Sequence, residues 1–409
     1  MRAVGIVVEY NPFHNGHLYH VTESKRAAKA DVVIAVMSGN FLQRGEPALV
    51  SKWNRTKMAL EGGVDLVVEL PYAYATQKAE SFANGAISIL EALKCTSFCF
   101  GSENGDISSF TGALNALKKH QQEYDSAIKG FLKEGFSYPK SLSLAYKETA
   151  GTAVSLDLSK PNNILGYHYV KAAAGQEASI EPQTIVRTSA GYHDEELPDC
   201  SIASATSIRK AIFSDGSSDI SQYVPKSTEA LLSEYREEFR GYHNWESYFH
   251  LLKYMVSTLS QEELRQIYEV EEGLENRINQ TIYSAENFHE WMNKMKTKRY
   301  TWTRLQRLST HLLTKTTKQQ MKNIPEKAPY IRLLGMSKEG QAYLSAIKKS
   351  MTVPVISKLS AFQHPMLELD KKAGNVYASI FPEDVRVSMH HQEYSTPPLR
   401  YNRVSSTYE

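Results

Sequence analysis

The sequence predicts an α/β protein: a doubly wound parallel sheet in the front half, followed by a mainly α-helical rear region. Three observations predict it. Short β-branched or aromatic runs alternate with amphipathic stretches over the first 110 residues. Beyond about Ser217 the strand signals fade and helical periodicity dominates. The chain has 409 residues, 42% hydrophobic and 22% charged, which exceeds one domain of roughly 100–200 residues and has an ordinary soluble balance.

The elements follow in order. Ala3–Glu9, Val32–Met37, Val64–Leu70 and Thr96–Gly101 read as strands. They are short and uniformly apolar, as parallel strands covered on both faces are. Helical patterns lie between them, at His17–Ala30, Lys52–Gly62 and Ala79–Leu93. Residues 106–155 read as mostly helical, Pro161 is placed to start a further helix, and Ile180–Ser189 reads as a fifth strand. Ser201–Phe213 reads as a loop entering a helix. Helical segments then fill the rear half, with Ser260 and Glu263 forming a capping box. The last 40 residues read as irregular, and Lys327–Leu344 is uninformative: Arg332 suits the surface and the apolar positions a core. The boundary is expected near residue 218, giving a Rossmann-like unit over 1–218 and a helical unit over 219–409.

Composition excludes several classes. Formal net charge is only +2, but residues 1–215 carry 21 Lys/Arg against 23 Asp/Glu, and residues 216–409 carry 26 against 22. A mildly acidic front half precedes a basic rear half. Three cysteines, Cys95, Cys99 and Cys200, give no disulfide framework and suit a reducing compartment. Cys95 and Cys99 lack partners at zinc-ligand spacing and read as buried thiols. No run approaches the roughly 20 apolar residues of a membrane span, so a cytoplasmic location is expected.

The stretch "EYNPFHNGHLYH" (Glu9–His20) follows the first strand and opens the first helix. In an open parallel sheet, ligands bind beyond the carboxyl ends of the strands. Pro12 and Gly16 permit a tight turn, and helix N-termini attract phosphate. His14 and His17 are one turn apart and can face one anion. A zinc pair would be spaced four apart with a glutamate between, whereas Asn15 and Gly16 stand here. A pair that merely caps or packs remains open on spacing alone.

"HNGH" resembles the HxGH signature of the nucleotidylyltransferase superfamily, whose histidines stabilise charge on the α-phosphate of ATP as pyrophosphate leaves. That superfamily also carries an ISSTxxR-like stretch that opens a helix and binds the triphosphate. "ASATSIR" (Ala203–Arg209) matches it at Ser204, Thr206 and Arg209 and departs from it at Ala203 and Ala205, which puts serine-hydroxyl contacts to phosphate at Ala205 in doubt but not those of Arg209. Other stretches fall at strand ends or helix starts: "FGSENGD" with Gly101, "KPNNILGY" with Asn162 and Asn163, and "VRTS" with Arg187 and Thr188. They suit the completion of the nucleotide site, and each alone reads equally as a plain loop or cap. After the second strand, Arg44, Lys52, Arg55 and Lys57 suit a second substrate, the phosphates or a solvated face.

From Lys294 to Lys322 there are nine Lys/Arg and no Asp/Glu in 29 residues. Basic residues contact backbone phosphates, and the interleaved Tyr300 and Trp302 suit stacking on unpaired bases. A solvated helix face remains open. The absence of acidic residues and the position outside the nucleotide unit favour RNA.

Across nearly its whole length the chain resembles the bacterial tRNA(Met) cytidine acetate ligase family. The resemblance rests on "GIVVEYNPFHNGHLYH", "VMSGNFLQRGEPALVSKW", "FGSENGD", "LSKPNNILGY", "IASATSIRKA", "TKRYTWTRLQR" and "PYIRLLG". It implies a nucleotidylyltransferase-type fold and a two-step reaction. Acetate and ATP give acetyl-adenylate and pyrophosphate; the N4 amine of the wobble cytidine of elongator tRNA(Met) then takes the acetyl group and releases AMP. It implies His14, His17 and Arg209 as catalytic residues. The turn Val7, Val8, Glu9, Tyr10, Asn11, Pro12, Phe13, His14, Asn15, Gly16, His17 and Leu18 would hold ATP, with Gly101, Asn162, Arg187, Thr188, Ser204 and Thr206. Lys296, Lys298, Arg299, Tyr300, Trp302, Arg304 and Arg307 would meet tRNA. Mg²⁺ is expected with ATP, although the chain carries no signature for it, and no partner protein is called for. Two other classes remain: a small-molecule adenylyltransferase of the dinucleotide-coenzyme type, disfavoured by the rear half, and a non-catalytic RNA-binding protein with a relic nucleotide fold, disfavoured by the intact histidines.

Overall fold

The computed structural model describes residues 1–150, 156–187, 201–214 and 219–409. Nine strands form one sheet: β1 (Ala3–Val8), β2 (Val32–Ser38), β3 (Leu66–Leu70), β4 (Ser97–Ser102), β5 (Glu181–Val186), β6 (Ile331–Ser337), β7 (Val355–Ile356), β8 (Leu399–Asn402) and β9 (Thr407–Tyr408). The order is β5-β4-β1-β2-β3-β6-β8-β9, with β7 on β6. The first five strands are parallel, the first four as their apolar runs predict, and every residue of β2 and β3 is buried. Strand order reverses between β1 and β4, which opens a crevice at their carboxyl ends.

The helices of the front half fall where the sequence places them: Asn15–Ala27, Lys52–Glu61, Ala79–Ala92 and Pro161–Gly175, the last with Pro161 in its first turn. Cys95 and Cys99 are buried, and burial pushes the Cys99 thiol up to about 11. Cys200 lies outside the described residues. Among the described residues no helix is long and apolar enough to cross a membrane.

The rear half corrects two expectations. Residues 226–322 are helical as read, and Ser260 and Glu263 do form a capping box. Residues 331–337, uninformative in sequence, form β6, which runs antiparallel to β3 and makes the sheet mixed. The supposedly irregular end holds the helices Pro365–Ala378 and Glu383–Ser395 and the strands β8 and β9.

Arg332 is buried, not superficial. It meets Glu69 at 3.0 Å and Glu393 at 2.7 Å, while Lys52 meets the same two carboxylates at 2.8 Å. Two cations and two carboxylates balance in a dry interior and tie both halves of the chain together. This lock, not a substrate, claims Lys52. Arg55 is likewise buried and donates to the carbonyls of Glu9, Ser38, Gly39 and Val50, holding the ends of β1 and β2.

The loop after β2 also reaches the rear half. Gly45 (φ +85°) lies so close to the helix Trp302–Leu313 that a Cβ there would stand 2.4 Å from the Arg307 nitrogen. Its carbonyl accepts from Thr310 Oγ1 at 2.7 Å. Only glycine satisfies both the conformation and the space.

Candidate active site

The turn after β1 places two imidazoles at one helix start. His14 is the N-cap of Asn15–Ala27, and its Nδ1 accepts the Gly16 N–H at 3.0 Å. His17 Nδ1 accepts the His14 N–H at 3.3 Å, completing a capping box built from two histidines. The ring centroids are 3.8 Å apart. Rings that accept at Nδ1 carry their neutral-state proton on Nε2. Burial, then Arg187 and Arg209, push His14 down to about 3. Burial, then His14, Arg187 and His20, push His17 well below its ordinary value, against the Pro12 carbonyl. Both rings are therefore neutral at physiological pH. Gly16 is required by this packing: a Cβ would stand 2.8 Å from His14 Cε1.

The hydrogen bonds correct one expectation. The first-turn N–H groups of this helix are not free for phosphate. Asn15 N donates to Tyr223 O at 2.9 Å, Gly16 N to the His14 ring, and His17 N to His14 O at 2.8 Å. The second motif differs. Ser204 caps the helix Ala205–Phe213 by accepting from Ser207 N at 3.0 Å. The N–H groups of Ala205 and Thr206 have no partner among the described residues. Arg209, from the same helix, donates to Asn11 O at 2.9 Å and pairs with Glu46 at 2.9 Å. It spans from the second motif to the turn of the first.

A cavity of about 760 Å³ joins these parts. Val7, Val8, Glu9, Tyr10, Asn11, His14, Gly16, His17, Gly101, Asn162, Arg187, Ser204, Thr206 and Arg209 line it. Pro12, Phe13, Asn15 and Leu18 do not. Phe13 is fully buried against Gly62, Asn15 Nδ2 is tied to Ser201 O and Gln222 O, and Leu18 is exposed. Their contribution is the shape of the turn. Thr188 lies outside the described residues. Of the basic residues after β2, only Arg44 lines the cavity.

Asn162 and Asn163 are less open than their position suggests. Glu103 caps their helix, accepting from Asn162 N, Asn162 Nδ2 and Asn163 N at 3.2, 2.7 and 2.8 Å. Asn162 Oδ1 in turn accepts from Arg187 at 3.3 Å. Sequence reading missed Glu103, although it stands inside "FGSENGD". It also missed the apolar wall from Phe82, Phe100 and Tyr169, whose spacing carries no site signal.

The rear half contributes to the same cavity through Arg299, Arg304 and Arg307. These arginines are not bare. They pair with Glu272, Glu271 and Glu269 at 2.8, 2.9 and 2.8 Å. The acidic partners come from a turn outside the basic run, invisible to a count within it. Tyr300 does not offer a free face: it is 8% exposed, its hydroxyl donates to Glu272, and the Arg304 guanidinium lies 5.0 Å over its ring. Trp302 is half-buried, 5.3 Å from the His289 ring. Lys296 and Lys298 are exposed.

A doubly wound sheet, a histidine pair at the end of β1 and an arginine-bearing helix facing it define a nucleotidyl transferase. The family model for HIGH Nucleotidyl Transferase matches residues 1–393. Curated relatives narrow the class. A tRNA(Met) cytidine acetate ligase of Bacillus licheniformis is 53% identical over 99% of both chains, and one of Bacillus subtilis is 52% identical over 98% of both. Thermotoga maritima TmcAL, in a crystal structure of its apo form, superimposes with a TM-score of 0.89 at 31% identity, covering 98% of this chain and 100% of that one. The same protein bound with alpha-thio ATP gives 0.87 over the same shares. The chain belongs to the tRNA(Met) cytidine acetate ligase family of HIGH nucleotidyl transferases.

Proposed function

We propose that the chain is an ATP-dependent ligase that forms N4-acetylcytidine at the wobble position of elongator tRNA(Met). The observation that carries this reading is one cavity lined both by the histidine pair and by arginines of the basic rear helix. A small-molecule adenylyltransferase has no use for the second set, and an RNA-binding relic has no use for the first.

In the first step an acetate oxygen attacks the α-phosphorus in line and pyrophosphate leaves. Negative charge grows on the α-phosphate oxygens. Donors already oriented toward it lower the barrier, because nothing must reorganise as the charge develops. The Nε2–H groups of His14 and His17 suit that position, since their Nδ1 atoms are fixed by the cap. Arg209 and the N–H groups of Ala205 and Thr206 suit the departing phosphates. Arg187 suits a phosphate, and Gly101 and Asn162 the adenosine. Mg²⁺ would arrive on the triphosphate. Among the described residues no group of three His, Cys, Asp or Glu stands ready for a metal.

In the second step the cytidine N4 attacks the acetyl carbonyl and AMP leaves. Residues 1–218 would form the adenylate, and residues 219–409 would bring the anticodon region to it through Lys296, Lys298, Arg299, Arg304 and Arg307. Tyr300 and Trp302 would act by packing those residues. With tRNA and ATP as substrates, the protein would work in the cytoplasm. The test is incubation with ATP, labelled acetate and total tRNA. Acid-stable label in a single nucleoside is expected. No label in any nucleoside would overturn the reading.

A further inference from the structure

The second step leaves a proton to be removed. The exocyclic amine of cytosine is a weak nucleophile, and its N–H must be lost as the amide forms. Four carboxylates line the cavity: Glu9, Glu46, Glu80 and Glu103. Three are committed elsewhere. Glu46 pairs with Arg209 at 2.9 Å, Glu80 with Lys171 at 2.8 Å, and Glu103 caps a helix with three accepted hydrogen bonds. Glu9 differs. Its Oε1 accepts the Gln43 N–H at 2.8 Å, and its Oε2 has no hydrogen-bond partner among the described residues.

Glu9 also has the right station. It directly follows β1, at the sheet's switch point, five residues before the first histidine. Tyr10 and Asn11 run from it into the histidine turn, and Arg55 grips its carbonyl at 2.7 Å. The backbone is thus fixed from behind while one carboxylate oxygen remains open.

We propose that Glu9 is the general base for acetyl transfer, accepting the N4 proton of cytidine at Oε2. This rests on the ligase reading above. As the N4–carbon bond forms, the bond from the acetyl carbon to the phosphate oxygen breaks. AMP leaves with that electron pair, and the amine proton passes to Glu9. Burial raises the Glu9 carboxyl above its ordinary range, opposed by the Gln43 N–H and by Arg44 and Arg209, with Glu46 adding to the rise. A carboxylate raised in this way is a better proton acceptor near neutral pH.

The test is Glu9→Gln, which keeps Oε1 as the acceptor for Gln43. Three rates are measured: acetate-dependent ATP–pyrophosphate exchange, single-turnover transfer to tRNA, and capture of the acetyl group by hydroxylamine. Hydroxylamine is nucleophilic enough to need no base. Transfer to tRNA is expected to fall roughly 100-fold. Exchange and hydroxylamine capture are expected to fall at least tenfold less than transfer. Glu9→Asp, which retains a carboxylate, is expected to recover part of the lost transfer. Transfer at the wild-type rate, or a parallel fall of all three, would overturn the proposal. Absence of acetate-dependent exchange in the wild type would instead overturn the ligase reading itself.

Discussion

His14 and His17 cap the same helix for each other, each accepting a backbone N–H at Nδ1, and both line the cavity. Replacing either by Gln removes one donor aimed at a developing charge. His14→Gln and His17→Gln are each expected to slow acetate-dependent ATP–pyrophosphate exchange roughly 100-fold. Exchange at the wild-type rate in both variants would show that the reacting phosphate lies elsewhere.

The same burial sets a pH dependence of stability. His14 titrates at about 3 in the folded protein, against 6.5 in the unfolded chain. Its contribution is complete above pH 6.5 and is lost as pH falls toward 3, because the unfolded chain takes the proton first. The loss is about 1.4 kcal/mol per pH unit within that window. Urea midpoints at pH 7.5 and 5 should therefore differ less in His14→Gln than in the wild type.

Gly16→Ala tests position without removing chemistry. The added methyl would stand 2.8 Å from His14 Cε1, so the ring must move while both histidines remain. A displacement of about 1 Å can cost on the order of 100-fold in rate. Exchange should fall by at least tenfold. An unaltered rate would mean that ring placement does not matter.

The buried four-charge lock predicts a stability effect far from the cavity. Arg332→Met leaves Glu69 and Glu393 with only Lys52 between them. Removing one partner of a buried ionic group costs about 3–5 kcal/mol. Denaturant unfolding should show a loss of that size. A change below about 1 kcal/mol would place the network nearer to solvent than its burial indicates.

The glutamates facing the basic helix predict selectivity. Glu269 and Glu272 sit at φ +65° and +57°, a conformation that L residues rarely adopt and that here holds the acidic turn against the arginines. Glu271→Gln with Glu272→Gln should tighten binding to unrelated RNA and steepen its salt dependence. Reversing charge at Lys298, Arg299 and Arg304 should weaken tRNA binding and spare ATP binding. Unchanged tRNA affinity in moderate salt would sink the rear-half role.

The five parallel strands and the histidine turn were legible because their signals are local: β-branched runs, a Pro–Gly turn, histidines one turn apart. The misreadings share a cause. "YIRLLG" is a strand only because β3 presents an open edge for it, and Arg332 is buried only because Glu69 and Glu393 meet it there. The arginines of the basic run looked uncompensated because the glutamates that meet them lie 27 or more residues upstream in sequence and 2.8–2.9 Å away in space. Glu9 and Glu103 stand inside "GIVVEYNPFHNGHLYH" and "FGSENGD", but nothing local marks what their carboxylates do. Their meaning lies in which oxygen is already taken.

The pairing of β3 with β6 has a consequence for synthesis. Leu66–Glu69 is complete early in translation, but its partners Arg332–Met336 leave the ribosome more than 260 residues later. Until then β3 is a bare edge whose every residue is apolar or bound for the interior. The nascent nucleotide-binding half therefore travels that long interval with an unpaired margin of the kind that invites wrong partners.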